Sequence, residues 1–246
     1  MNIALIPARA GSIRIPNKNI KNFRGKPIIE YTIESLMNSK CFDEIFVSTD
    51  SEEIAEICLK VGAKVPFKRN FNLSDNTTST IDVVIDAIKN LSHLDISNLC
   101  CVYATNPLLQ SEFVKYGLEI LNQKSNCNYV TTITKYGFPI QRSLFTNSSG
   151  LREMTWPENM YKHSQDLVPM YHETGQFWWA NVDTWLSKIG MQTEVFGIEL
   201  PSWIQQDIDE LDDWYLAEAK YDFMKKNPEL LANVIKNLTG ATNPPN

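Results

Sequence analysis

Asn2-Ile3-Ala4-Leu5-Ile6-Pro7-Ala8-Arg9-Ala10-Gly11-Ser12-Ile13-Arg14-Ile15-Pro16-Asn17-Lys18-Asn19 is the stretch on which the reading of this chain turns. Ile3 to Ile6 is an unbroken apolar run, the pattern of a short buried strand. It ends at Pro7 in a loop of small residues, which let a backbone approach a ligand closely. Arg9, Arg14 and Lys18 fall within ten positions of that loop and can converge on an anion. A small-residue loop loaded with cations at the end of a first strand is a design for holding phosphate. A merely solvated basic loop would need neither the buried strand before it nor the interleaved Gly, Ser and Pro.

Outward from this loop the chain alternates. Pro27 to Asn38 predicts a helix with Pro at its start, and Glu44 to Thr49 a strand. Ser51 is a candidate N-cap for a helix reaching about Val61. Ala63 to Phe67 reads as a short strand, and Val83, Val84, Ala87, Ile88 and Leu91 mark a helix over Thr80 to Leu91. Leu99 to Tyr103 predicts a strand, Ser111 to Leu121 a helix, and Asn128 to Thr134 a strand. Strands separated by helices imply an α/β fold with a doubly wound, mostly parallel sheet, Rossmann-like in class. Such sheets bind ligands at the carboxyl ends of their strands. The cationic loop, Ser48-Thr49-Asp50 and Ala104-Thr105-Asn106-Pro107 all fall at such ends.

From Gly137 to about Gly175 the alternation fails, and Pro139, Pro157 and Pro169 interrupt it. This segment reads as a small, partly hairpin insertion serving as a lid or a dimerisation surface. Strands resume over Gln176 to Val182 and Val195 to Leu200, followed by helices over Glu210 to Lys226 and Glu229 to Leu238. One domain is expected over residues 1–238, with a flexible tail from 239 to 246.

With 43% hydrophobic residues in 246, the chain can build a full core without metal or disulfide support. A net charge of −6, from 23 basic and 29 acidic side chains, argues against general nucleic-acid binding but leaves room for a nucleotide held by a few local cations. The five cysteines form no CxxC pair and no disulfide framework, which points to a reducing cytosol. The chain opens with no signal-peptide pattern, and no apolar run is long enough for a membrane span.

The second strong signal is Gln206-Asp207-Ile208-Asp209-Glu210-Leu211-Asp212-Asp213-Trp214. On an extended segment, Asp207 and Asp209 project to the same side. Two hard oxygen donors there suit Mg²⁺, which completes its shell with phosphate and water. Asp212 and Asp213 fit instead as first-turn charges favoured by a helix dipole. Loop cations below and a divalent ion above the same triphosphate suit attack on phosphorus with pyrophosphate leaving. The loop lacks GxxxxGK[ST], so it is no P-loop, and it lacks the GxGxxG of dinucleotide cofactors.

Ile6 to Ser12, Arg14 to Asn19, Val47 to Asp50, Arg69 with Leu73 and Asp75, Tyr103 to Pro107, and Asp207-Ile208-Asp209 with Trp214 resemble, in order, the motifs of the cytidylyltransferases that activate sialic acids and related nine-carbon sugar acids. The likeness spans roughly residues 1 to 225. Within the family, Phe138 to Arg142, Ser164 to Leu167 and Tyr171 to Trp179 look like the branch that acts on pseudaminic acid. The resemblance implies a cytoplasmic bacterial enzyme of glycan biosynthesis that uses CTP, a nonulosonic acid and Mg²⁺. It also implies a homodimer in which the insertion of one copy covers the site of the other, with no nucleic-acid or membrane partner.

By position, Arg9 and Lys18 are expected at the CTP phosphates, with Gly11, Ser12 and Arg14 supporting the loop. Ala8, Ala10, Arg69 and Thr80 would shape the cytosine and ribose pocket. Thr105 and Asn106 would border nucleotide or sugar, and Asp207 and Asp209 would hold the metal, Asp209 next to the chemistry. Gln141, Arg142, His172, Glu173 and Gln176 are expected around the sugar acid, with Arg142 pairing with its carboxylate. Many members carry Lys where this chain has Ile13, which shifts weight onto Arg14 and Lys18. Two alternatives remain at this level: the same reaction on a sialic, legionaminic or eight-carbon ulosonic acid, and a catalytically silent nucleotide-binding protein.

Overall fold

A computed structural model describes residues 1–75, 77–124 and 126–240. In chain order the elements are β1 (Asn2–Pro7), a small hairpin of β2 (Asn22–Phe23) and β3 (Lys26–Pro27), α1 (Ile28–Ser39), β4 (Glu44–Ser48), α2 (Glu52–Val61), α3 (Thr80–Asn90), β5 (Asn98–Val102) and α4 (Ser111–Gln123). There follow β6 (Tyr129–Lys135), a second hairpin of β7 (Leu144–Thr146) and β8 (Arg152–Met154), β9 (Tyr171–Asn181), α5 (Val182–Leu186), β10 (Val195–Glu199), α6 (Leu211–Lys226) and α7 (Pro228–Thr239). Six strands form the central sheet in the order β10-β6-β9-β5-β1-β4. β1 runs parallel to β4 and β5, and β10 parallel to β6; β9 alone is antiparallel to its neighbours.

The period of two along each strand splits the core between the two faces of the sheet. Ala4, Ile6, Cys100, Val102 and Trp179 meet α1, α2 and α4 on one side, through residues such as Ile33, Cys58 and Phe113. Ile3, Leu5, Leu99, Cys101 and Trp178 meet α3 and α5 on the other, through Val84, Ile88 and Trp185. Cys100 and Cys101 are fully buried on opposite faces and pack as small apolar groups.

Ser51 caps α2 as its sequence suggests: its hydroxyl accepts the Ile54 N–H at 3.3 Å. Ser51→Ala is expected to lower unfolding free energy by about 1 kcal/mol in a urea titration, the usual worth of an N-cap.

Two local expectations need correction. Ala63 to Phe67 forms no strand; it meets β4 at an isolated parallel bridge, Phe46–Lys64, and a second bridge, Thr49–Lys68, lies just beyond both segments. Pro66 lies between those bridges and has no N–H to give a ladder. β9 begins at Tyr171 rather than Gln176, so the last residues assigned to the insertion are already sheet. The pattern hid this because Gly175 takes a left-handed φ of 65° and the pairing with β6 shifts register between Thr131 and Ile133. Of the expected tail, Thr239 ends α7, and residues 241–246 lie outside the described residues. No described helix is long and apolar enough to cross a membrane.

Candidate active site

A third, smaller core cluster assembles the site. Ile15 of the cationic loop, Phe23 and Ile28 bury themselves against Ile208, Trp214 and Ala217. Phe23 meets the Trp214 ring edge-on at 5.4 Å between centroids. On an extended segment Ile208 points inward, so Asp207 and Asp209 on either side of it point out. Burial of one isoleucine thus turns two carboxylates outward, Asp209 toward the loop that follows β1 and Asp207 toward Gly175.

That loop is tied from several directions. Ala8 donates its N–H to the Ser48 carbonyl and Ala10 to Asp50 Oδ1, both at 2.9 Å. Asn19 Nδ2 donates to the Arg9 carbonyl at 2.9 Å. Arg9 Nη1 donates to the Asp75 carbonyl at 2.8 Å, bringing the segment after Arg69 over the loop. Asp75 itself is an anchored turn: hydrogen bonds from Thr78 and Thr77 hold its carboxyl down at about 2. Arg69 is buried, giving Nε to Ser48 Oγ at 3.0 Å and Nη2 to the Ser48 carbonyl. A Cβ at Gly11 would meet nothing within 4 Å, and Gly11 itself lies at the exposed edge of the loop.

These groups enclose a cavity of about 500 Å³ at the carboxyl ends of β1 and β5. Arg9, Ser12, Arg14, Lys18, Arg69, Thr80, Thr105 and Asp209 line it, and Ile13, 74% exposed, stands on its wall. A second cavity, of about 870 Å³, lies beyond the aspartates and is lined by His172, Glu173, Asp207, Asp209 and Asp213, with Tyr136 and Trp178 as apolar walls. Among the described residues, Asp209 is the one common to both. Its Oδ1 lies 2.8 Å from Arg14 Nη2 and 3.5 Å from Lys18 Nζ. Lys18 also donates to the Ile208 carbonyl, so loop and aspartate motif are in direct contact.

Asp207 borders the open side of the second cavity, yet enough protein surrounds it that burial raises its carboxyl above the ordinary range. The Asp209 and Glu173 carboxylates push it further the same way, and Lys18 opposes them. A carboxylate crowded by two others in this way is a place where a cation is welcome. No cluster of three or more His, Cys, Asp or Glu able to hold a metal exists among the described residues. What this site offers a cation is the Asp207 and Asp209 carboxylates. That fits Mg²⁺, which is commonly bound through one or two carboxylates with phosphate and water completing the shell.

His172 and Glu173 are held by their own strand: His172 Nδ1 lies 2.8 Å from the Glu173 carbonyl, and Glu173 Oε2 accepts the Gly175 N–H at 2.6 Å. Asn106 and Gln176 are buried beneath the site and line neither cavity. Gln176 Nε2 donates to the Ile204 carbonyl at 3.1 Å, and Asn106 Nδ2 lies 3.5 Å from the Gly175 carbonyl. Gln141 and Arg142 line neither of these two cavities. Gln141 Nε2 donates to the Val168 carbonyl at 2.7 Å and Arg142 Nη2 to the Lys162 carbonyl, both inside the insertion. Gln141 Oε1 and Arg142 Nε are left without a hydrogen-bond partner among the described residues.

Three contributors escaped sequence reading. Tyr103 lines the first cavity, and the Glu173 and Asp207 carboxylates act on its phenol. Burial raises its phenol, which stays a neutral hydroxyl between the two cavities. Its place just before the Ala104 turn, at the end of β5, was the available signal. Gly175 allows the close approach of Asp207, whose Cγ would lie 2.9 Å from a Cβ at that position. Trp178, part of the core packed against α3 and α5, also lines the second cavity.

A family model described as cytidylyltransferase matches residues 3–231. The chain is 39% identical over 225 residues to the pseudaminic acid cytidylyltransferase of Campylobacter jejuni serotype O:2, covering 89% of this chain and 96% of that one. It is 31% identical over 229 residues, 92% of its length, to a Helicobacter pylori protein named pseudaminic acid cytidylyltransferase and UDP-2,4-diacetamido-2,4,6-trideoxy-beta-L-altropyranose hydrolase, of which it spans 44%. Among solved structures it shares its fold with a CMP:2-keto-3-deoxy-manno-octonic acid synthetase complexed with CTP, at a TM-score of 0.65, 14% identity, and coverage of 92% of this chain and 99% of that one.

Proposed function

The chain belongs to the cytidylyltransferase family, and from that premise we propose that it joins CTP to pseudaminic acid, giving CMP-pseudaminic acid and pyrophosphate. The observation that carries this reading is Asp209, shared by a cation-lined cavity and a larger one walled by His172, Glu173 and Trp178. The first cavity takes the nucleotide and the second the sugar acid, so the α-phosphate and the anomeric hydroxyl meet at the aspartates. The hydroxyl oxygen bonds to the α-phosphorus, its proton released as H⁺, as the bond from that phosphorus to the oxygen bridging to the β-phosphate breaks. Arg9, Arg14 and Lys18 neutralise the triphosphate and the departing pyrophosphate, which is where most catalytic stabilisation of phosphoryl transfer resides. Arg69 and Thr80 border the nucleoside end, and Tyr103 separates the two substrates. Asp207 and Asp209 would hold Mg²⁺, which supplies positive charge at the reacting phosphate when bound.

The substrate is tested by measuring pyrophosphate release from CTP with pseudaminic, sialic, legionaminic and eight-carbon ulosonic acids. Turnover with pseudaminic acid above all others is expected; turnover with sialic acid and none with pseudaminic acid would refute the assignment. Chelation with EDTA is expected to stop the reaction and added Mg²⁺ to restore it.

The proposal includes a homodimer formed through the insertion. Phe138, Leu144, Leu151, Tyr161 and Val168 are all exposed there, Tyr161 at 91%, a concentration of apolar surface that marks contact sites rather than solvated ones. Light scattering coupled to size exclusion should give twice the 28.1 kDa chain mass; a monomer at micromolar concentration would argue against it. A cytoplasmic location accords with five cysteines that all remain free thiols.

A further inference from the structure

Asp207 and Asp209 lie on an irregular segment between the short turn ending at Ile204 and the start of α6 at Leu211. Such a segment holds two carboxylates in register only if its own backbone is held. Asp213, in the first turn of α6, accepts the N–H groups of Asp209 and Glu210 on Oδ2 at 3.0 and 2.9 Å. Its Oδ1 accepts from Gln206 Nε2 at 3.1 Å, and the same nitrogen lies 2.9 Å from the Asp207 carbonyl. Gln206 Oε1 in turn accepts from Lys220 Nζ at 2.9 Å, and Lys220 also donates to the Gln205 carbonyl at 2.8 Å. The chain of contacts therefore runs from a half-buried ammonium on α6 through one amide and one carboxylate to the backbone of both aspartates.

We propose that Lys220, Gln206 and Asp213 form a positioning network that sets the spacing and aim of the Asp207 and Asp209 carboxylates for a divalent ion. The inference rests on the reading of those two aspartates as metal ligands. Lys220 lines neither cavity, so removing its charge takes nothing from the substrate or metal surface itself. It acts only through Gln205 and Gln206. A purely structural Lys220 would tie α6 to the preceding segment and do no more; its loss would lower the melting temperature and leave metal affinity alone.

Mn²⁺ is the probe that separates these roles, because water-proton relaxation reports protein-bound Mn²⁺ in the presence of CTP without sugar acid and without turnover. In the full-length protein, Lys220→Met is expected to weaken Mn²⁺ uptake by about 10–100-fold, the usual cost of removing a partner that orients metal ligands. Lys220→Arg should restore most of it, and CTP affinity should be unchanged in both. Asp213→Asn, which keeps its size and one acceptor oxygen, should shift Mn²⁺ uptake in the same direction and decides the matter should Lys220→Met not fold. Parent-like Mn²⁺ uptake in these variants, with or without a drop in melting temperature, overturns the network alone. A parent protein that takes up no Mn²⁺ with CTP overturns the metal reading itself, and this inference with it.

Discussion

Asp209→Ala should lower kcat for pyrophosphate release by at least about 10²–10³-fold, the scale seen when one fixed electrostatic partner of a transition state is removed. The expectation rests on position. Asp209 is the one described residue in both cavities, and two loop cations hold its carboxylate. Its removal deletes half of the proposed donor set for the metal. It also leaves Arg14 and Lys18 without their partner, so the triphosphate should bind as well as before or better; kcat should fall while KM for CTP stays level or drops. Stability should change little, because both the Arg14 and Asp209 side chains are about half exposed and such ion pairs contribute only about 0–1 kcal/mol. Steady-state kinetics with CTP varied at saturating sugar acid, together with a thermal melt, checks all three statements. A variant with near-parent turnover would remove Asp209 from the chemistry.

Gly175→Ala should cost about 10²-fold in kcat, the loss expected when a reacting group moves by about 1 Å. Two physical terms act together at this position. The φ of 65° is left-handed and costs a residue with a Cβ about 1–2 kcal/mol. The new methyl would also sit 2.9 Å from Asp207 Cγ and 3.0 Å from Oδ1. The carboxylate must move, and it is one of the two that meet the proposed cation. The strain alone should lower the melting temperature by about 2–8 °C for a chain of this size. KM for CTP should hold, since Gly175 does not line the cavity proposed for the nucleotide. A melting shift with unchanged kcat would make Gly175 a turn residue and nothing more.

What could be read from sequence follows from how local each signal is. The apolar run Ile3 to Ile6 and the capped helix after Ser51 are set by neighbours within one turn or one strand, and the structure has them where the pattern puts them. The aspartate motif was legible because alternation about Ile208 is a property of three consecutive residues. Strand direction was not: β9 is antiparallel in an otherwise parallel sheet because its entry through the insertion, not its composition, sets its course. The hydrogen-bond partners of Gln141 and Arg142 could not be read from sequence for a related reason. A polar side chain in an irregular segment bonds to whatever carbonyl the fold brings near, here those of Val168 and Lys162.

The sequence by itself determined which groups this protein has to work with: a buried strand ending in a small-residue loop with Arg9, Arg14 and Lys18, and a distant pair of carboxylates spaced to face one way. Only the tertiary structure decided that these are one site. Lys18 and Ile208 are 190 positions apart, and nothing in either motif specifies the other. They meet because Ile15, Phe23, Ile208 and Trp214 leave water together, and apolar burial is non-directional, binding whichever surfaces the whole chain makes complementary. That shared burial sets Asp209 between two cavities, a position visible in no single stretch of sequence.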